Sequence, residues 1–466
     1  SVLTLSFTER TNEKYQIYFG QLHSHTSYSD GAGSCEDAYQ HATNVDNLDF
    51  VAVTDHSNSF DNADSASISD GSMSEEWKEG HALATQYTTS GFVCIYGFEM
   101  TWSNGLGHIN TFNTEGFQSR TQNEYKTYST ALQNYYATLK TQPDSISQFN
   151  HPGTTFGDFS DFAYYDEEID KLITTIEVGN GEGAIGSSGY FPSYEYYQRA
   201  LDKGWHLAPT NNQDNHKANT ARSVVLVDSL TQENIYDAMR NYRVYATEDN
   251  DLSIYYTLDG YIMGSILEDG ATGDTVHLSV DLSDPTDASI GKVQVITNGG
   301  LVLAEKNVSG NEETVTFDVK NDYSYYYIKV VEADSDIAVT APVWVGSVEA
   351  AGIDSFSTDE VLPVRGEPLT VNLGLYNNEN SELAIDSITF EVGGETVHEA
   401  DLAAAGLGSV ASMSTGSYSF DYTYDGVGSM EMTAVVHATM NGVQKVYKSV
   451  LKLSYATPEM VTKGII

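Results

Sequence analysis

The segment QLHSHTSYSDG, Gln21 to Gly31, sets His23 and His25 two positions apart and adds Asp30 five residues later. On an extended backbone alternate side chains leave the same face, so both imidazoles are able to reach one ion. Further nitrogen and oxygen donors follow apolar runs along the chain. FVAVTDH carries Asp55 and His56, IYGFE carries Glu99, GLGH carries His108, QFNHP carries His151, TIEVGNG carries Glu177, and NNQDNH carries Asp214 and His216. A lone histidine at a strand end is ordinarily a hydrogen-bonded structural residue. His23, His25, His56, His108, His151 and His216, together with several carboxylates at expected strand ends, form a metal-binding pattern instead. Asp55, beside His56, reads as a carboxylate that orients a ligand.

Nine of the twelve histidines lie before residue 217. His41 and His81 fall on expected helices and His206 at a strand start, while His277, His398 and His437 lie in β-rich sequence, so structural roles are expected for all six. Imidazole and carboxylate ligands without thiolate suit manganese, iron(II) or zinc. Cys35 and Cys94 sit in no CxxC pair and make no disulfide framework. Clustered divalent cations lower the pKa of a bound water from ~15.7 to about 7 and polarise an ester oxygen, so hydrolysis needs no serine or cysteine nucleophile. A carboxylate bridging two cations suits in-line displacement at phosphorus. Arg222 and Lys217 are candidates for the cation that meets charge on a phosphoryl group, with ordinary ion pairing as the alternative. Asp55, His81 and a bound water are the candidates for protonating a leaving group, and the sequence does not choose among them.

These residues need a scaffold of strands. Up to about Asn250 short apolar runs alternate with helical periodicity, the pattern of βα units. A strand is expected over Lys14 to His23, followed by a helix that opens with a Ser34/Asp37 capping box; Phe50 to Asp55 reads as the next strand and Glu75 to Tyr87 as the next helix. Seven or eight such strands suggest an α/β barrel or a related wound α/β domain, in which chemistry sits at the strand C-termini. Beyond Asp251 the helical period gives way to alternation such as VHLSVDLS and TVTFDVK, broken by Gly, Asn and Asp turns. The expected organisation is an α/β domain over 1–250, a β-sandwich module over 251–348 and a second over 349–466.

The chain of 466 residues carries 22 Lys and Arg against 66 Asp and Glu, a net charge of −44. Such a surface repels phosphate backbones and anionic membranes, which argues against nucleic acid as a bulk partner. It also mildly favours a neutral substrate. No run of 18 apolar residues exists and Ser1 is not followed by a basic leader, so neither a membrane span nor a signal peptide is expected in the sequence given. Few lysines, scarce cysteine and abundant Tyr, Asn, Ser and Thr resemble secreted or surface proteins of bacteria. An extracellular or cell-surface location is expected on that ground, with a cytoplasmic one left open.

LHSHTSYSDG, VAVTDHS, GFEMTW, FNHP and DNH resemble, in order, motifs of the PHP (polymerase and histidinol phosphatase) superfamily, in the branch of CehA/McbA-type metal-dependent hydrolases. The resemblance covers roughly residues 15 to 250. It implies a distorted (β/α)7 barrel, here followed by Ig-like β-sandwich modules, with two or three divalent ions. It further implies that His23, His25, Glu99 and Asp214 bind one ion, that Glu99 bridges to a second held by His108 and His151, and that Asp30, His56 and His216 hold a third. Asp30 stands where some members carry histidine. Glu177 has no ligand role in the resemblance and is expected to line the site. Catalytic roles are thereby expected for Glu99, His151, Glu177, Asp214 and Arg222.

The expected function is metal-dependent hydrolysis of a small-molecule phosphomonoester or phosphodiester. The alternative within the same chemistry is an amide, carbamate or carboxylic ester, since the branch resembled includes a carbaryl hydrolase. A further alternative is a non-catalytic surface protein whose C-terminal modules contact glycan or another protein.

Overall fold

The computed structural model describes residues 14–215, 219–268, 270–346, 351–360 and 362–463. The chain divides into two compact units, Ser1–Thr297 with Val302–Gly346, and Asn298–Leu301 with Ser347–Ile466.

In the first unit the apolar runs read from the sequence become strands. They are β1 (Gln16–Gln21), β2 (Phe50–Val53), β3 (Val93–Tyr96), β4 (Phe98–Thr101), β5 (His108–Phe112), β6 (Ile146–Asn150), β7 (Ile173–Asn180), β8 (Phe191–Pro192), β9 (Ala208–Asn212), β10 (Arg222–Val227) and β11 (Val244–Thr247). The expected capping box forms: the Ser34 hydroxyl accepts from the Asp37 amide and Asp37 accepts from the Ser34 amide, opening helix Cys35–Asn44. The helix over Glu75–Tyr87 spans the range expected from its periodicity.

The expected distorted (β/α)7 barrel is not formed. The strands divide between two open sheets of mixed direction, one containing β11-β10-β1-β2-β3 and the other ordered β4-β5-β6-β7-β8 with β9 on β7. β1 runs antiparallel to β10, β10 to β11, β4 to β5 and β5 to β6, whereas β1–β2, β2–β3, β6–β7 and β7–β9 are parallel. An apolar run reports that a strand is buried on both faces but not the direction of its neighbour, so alternation with helices is compatible with mixed sheets as well as with a closed parallel one.

The expected boundary at residue 250 runs through continuous structure. β11 pairs antiparallel with β19 (Ile337–Thr340), and the same sheet continues through β18 (Tyr325–Glu332), β15 (Gly291–Thr297) and β16 (Leu301–Val308). A separate four-stranded sheet contains β12 (Ser253–Leu258), β13 (Tyr261–Ile262), β14 (Thr275–Ser283) and β17 (Glu312–Lys320). Val276, Leu278, Val280 and Leu282 alternate inward along β14, as do Val315, Phe317 and Val319 along β17. They share one apolar core with Val293, Val295, Ile328 and Val330 of the larger sheet.

In the second unit strands Ala351–Thr358, Pro368–Asn377 and Ser414–Thr423 form one sheet, and Leu383–Val392, Glu395–Glu399, Met430–Met440 and Val443–Leu453 a second. Leu373 and Leu375 of the first and Ile388, Phe390, Met432 and Val436 of the second are buried in a common core, which gives the unit the β-sandwich character expected from its alternation. Among the described residues no helix is long and apolar enough to cross a membrane.

β1 delivers the HxH segment, and its position against β2 depends on Gly20. A Cβ there would lie 2.4 Å from the Phe50 carbonyl oxygen and 2.6 Å from its ring. Gly20→Ala is expected to cost about 1–3 kcal/mol through overpacking, read as a lower midpoint in thermal or denaturant unfolding.

Candidate metal centre

Past the end of β1 the backbone leaves the ladder, and side chains hold it in place. Leu22 N–H donates to Asn212 Oδ1 at 2.7 Å, and its carbonyl accepts from Asn110 Nδ2 at 3.1 Å. This grip presents His23 and His25 with their Nε2 atoms 3.1 Å apart. Asp214 Oδ1 lies 2.9 Å from His23 Nε2 and 2.8 Å from His25 Nε2. Glu99, fully buried on β4, sits among five imidazoles: His23 at 3.6 Å, His25 at 3.2 Å, His56 at 2.8 Å, His108 at 3.2 Å and His151 at 3.4 Å. Asp30 Oδ1 is 3.4 Å from His56 Nε2 at the exposed edge.

The donor set fits cations. Two ligands about 2.1 Å from one ion at tetrahedral or octahedral angles lie about 3.0–3.4 Å apart, and the contacts here scatter around that range, from 2.8 to 3.6 Å. Glu99 Oε2 and His108 Nδ1 are buried without an aligned hydrogen bond, an expensive state that coordination relieves. The groups of mutually close ligand atoms here include His23, His25, Glu99 and Asp214; Glu99, His108 and His151; His25, Asp30 and His56; and His23, His151 and Glu177. Glu99 belongs to two of them. His216 and Lys217 lie outside the described residues.

Burial opposes charge on His23, His25, Glu99 and Asp214. Even so, the carboxylates of Asp214, Glu177 and Glu99 hold His23 well above the usual imidazole range, and Asp214 with Glu99 lifts His25 to about 10. Glu99 and Asp214 are in turn held well below the usual carboxylate range by the imidazoles around them. The cluster is a concentration of negative charge that positive charge must balance, from protons or from cations. Two of its members also sit in rarely populated backbone: His151 has φ 26° and Asp214 φ 63°. Conformations of this kind persist where the surroundings over-determine them, as they do at ligand sites.

Glu177, expected to line the site, holds it from behind. One carboxylate oxygen lies 3.0 Å from His23 Nδ1 and accepts the His151 amide at 3.0 Å; the other accepts from Asn180 Nδ2 at 3.0 Å and Asn212 Nδ2 at 3.1 Å. A carboxylate at Nδ1 fixes the imidazole so that Nε2 keeps its lone pair for an ion. Glu177→Gln is expected to weaken divalent-metal affinity ~10–100-fold, measured by competition with a metallochromic chelator, with unchanged far-ultraviolet circular dichroism.

Asp55, expected to orient a ligand, is engaged by residues of the segment that follows His25. Its carboxylate accepts from the Thr26 amide and hydroxyl at 2.7 Å each and from Ser29, whose hydroxyl is 3.3 Å from His25 Nδ1. Asp55 itself is fully buried. His81 packs against Trp77 and Tyr96, and burial pushes it down to about 4. Arg222 is not brought to the site. Its guanidinium donates to the carbonyls of Asn219, Ala221 and Asp46, and it approaches the Asp46 carboxylate at 3.5 Å.

The cluster forms the floor of a cavity of about 560 Å³, walled by Phe156 and Phe191 and edged by Asp30, Glu182 and Asn215. Among the described residues that line it there is no Lys or Arg.

No family profile matches the chain, and no curated protein matches it. Solved structures that align with it include the fibronectin(III)-like modules of Clostridium thermocellum CbhA, at 13% identity over 44% of this chain and 96% of that one, TM-score 0.18. Red sea bream transglutaminase aligns at 10% identity over 59% and 44%, TM-score 0.23, and the D0-D1 domain of intimin at 14% over 43% and 100%, TM-score 0.17. Scores this low transfer neither fold nor activity.

Asparagines supply much of the support that the sequence reading missed. Asn150 Nδ2 donates to Glu99 Oε1 at 3.0 Å and to Asn110 Oδ1 at 2.8 Å. Their signal was adjacency: Asn150 precedes His151, and Asn212 precedes Asp214 by two positions, both inside strands where asparagine is disfavoured.

Proposed function

We propose that this chain is a metal-dependent hydrolase acting on phosphoesters. The observation that carries the reading is the convergence of five imidazoles on the buried Glu99 carboxylate, with Asp214 beside them, at the floor of an open cavity. His23, His25, Glu99 and Asp214 would hold one divalent ion, Glu99, His108 and His151 a second, and His25, Asp30 and His56 a third. Such ions supply Lewis acidity toward a phosphoryl oxygen and acidify water. The resemblance of the ligand motifs to PHP hydrolases supports the same reading.

The chain's own residues position the ligands and shape the substrate site. Glu177 and Asn150 hold His23 and Glu99 in place from behind, so the donor atoms are preorganised. Phe156, with its ring centre 4.8 Å from that of His151, and Phe191 offer an apolar wall to the organic part of an ester.

One observation favours a carbonyl substrate as a second reading. The described lining residues include no Lys or Arg to meet the charge of a phosphoryl group, whereas a neutral amide, carbamate or carboxylic ester needs none. Nitrophenyl phosphate, bis(nitrophenyl) phosphate and nitrophenyl acetate, each assayed with manganese, iron(II) and zinc, separate the readings. Turnover of either phosphate ester is expected; turnover of acetate alone selects the carbonyl reading, and no turnover with any metal rejects both.

A further inference from the structure

Away from this centre, four carboxylates meet where three strands end. Asp249 lies two residues past β11, Asp284 directly follows β14, Asp287 is in the loop that continues from it, and Glu332 closes β18. One oxygen from each lies within 4.8 Å of the others. That is about the diameter of a shell of oxygens ~2.4 Å from a calcium ion.

Carboxylates cluster on many acidic proteins, but Glu332 is unlike a surface acid. It is 3% exposed, and neither of its carboxylate oxygens meets a hydrogen-bond donor. Asp284, fully buried, uses Oδ1 to accept the Thr286 and Asp287 amides and leaves Oδ2 buried without a partner. Asp249 likewise commits Oδ1 to the Asp251 and Leu252 amides. Burial and the neighbouring acids Asp284, Asp249 and Asp334 push Glu332 up to about 10. None of the four pairs with a Lys or Arg among the described residues. A buried carboxylate with neither donor nor counter-charge is costly, and a bound cation or a shared proton relieves that cost.

We propose that Asp249, Asp284, Asp287 and Glu332 form a calcium site that ties β11 and β18 of the larger sheet to β14 of the four-stranded one. All-oxygen, carboxylate-rich coordination selects a hard cation, and an all-protein set of carboxylates suits calcium over the smaller, more strictly octahedral magnesium, which usually keeps several waters. The site stands independently of the histidine centre, whose nitrogen-rich donors suit transition metals.

The test is calorimetric titration of calcium chloride into the chelator-treated full chain, with thermal unfolding alongside and magnesium as the comparison. One saturable calcium per chain, with a dissociation constant of ~10⁻³ M or tighter, and a rise of several degrees in the unfolding midpoint are expected. Both should persist in His25→Ala and vanish in Glu332→Gln. Without calcium, Glu332→Gln should unfold close to the wild-type temperature, because a carboxyl pushed up to about 10 is already neutral there. If that variant does not fold, Asp287→Asn at the half-buried position should weaken binding about tenfold. No saturable calcium in the wild type, or equal binding in the variant that folds, overturns the site and points to a proton shared between Glu332 and Asp284.

Discussion

His25→Ala is expected to abolish nitrophenyl phosphate hydrolysis and to lower the bound transition-metal content, while leaving the unfolding midpoint of the metal-free chain close to wild type. The imidazole stands between two groups of donors: its Nε2 contacts Asp214 and Glu99, and the residue also belongs with Asp30 and His56. Its loss therefore opens both groups at once. The fall in turnover should exceed the ~100-fold that loss of an orienting partner costs, because a ligand itself is removed. Activity within tenfold of wild type would place His25 outside the coordination.

Glu99→Gln is expected to have an effect at least as large and of a different kind. The amide keeps the volume and an oxygen able to accept from Asn150, so β4 and its packing should survive. What disappears is the one negative charge shared by His23, His25, His56, His108 and His151. A carboxylate able to bridge two ions becomes a neutral, weaker donor. Metal content should fall by two ions per chain where His108→Ala removes one. Equal losses in the two variants would show that Glu99 serves a single ion.

The candidate ligands are legible in the sequence because each follows an apolar run, and a buried strand delivers the residue at its end to a defined place. His23, His25, His151 and Asp214 arrive by that logic, past the ends of β1, β6 and β9, whereas Glu99 sits inside β4 and His108 opens β5. Sheet architecture is less legible. Val93–Tyr96 and Phe98–Thr101 are separated only by Gly97, yet they belong to different sheets. No periodicity encodes that switch.

Arg222 was a candidate for a substrate cation or an ordinary ion pair, and strand β10 carries it toward Asp46 and backbone carbonyls. The asparagines that brace Glu99 and Glu177 were passed over because asparagine in isolation signals a turn. Asp beside Asn, Pro or Thr, as at Asp249, Asp284 and Asp287, reads as loop punctuation, a lone Glu such as Glu332 carries no signal, and only the fold draws these positions together.

The central claim is that this histidine and carboxylate cluster holds divalent transition metals, and elemental analysis tests it most directly. Full-length chain stripped with chelator, reloaded separately with manganese, iron(II) or zinc and freed of excess ion should retain at least two ions per chain with one of these metals. Retention of less than one ion per chain with all three would contradict the account.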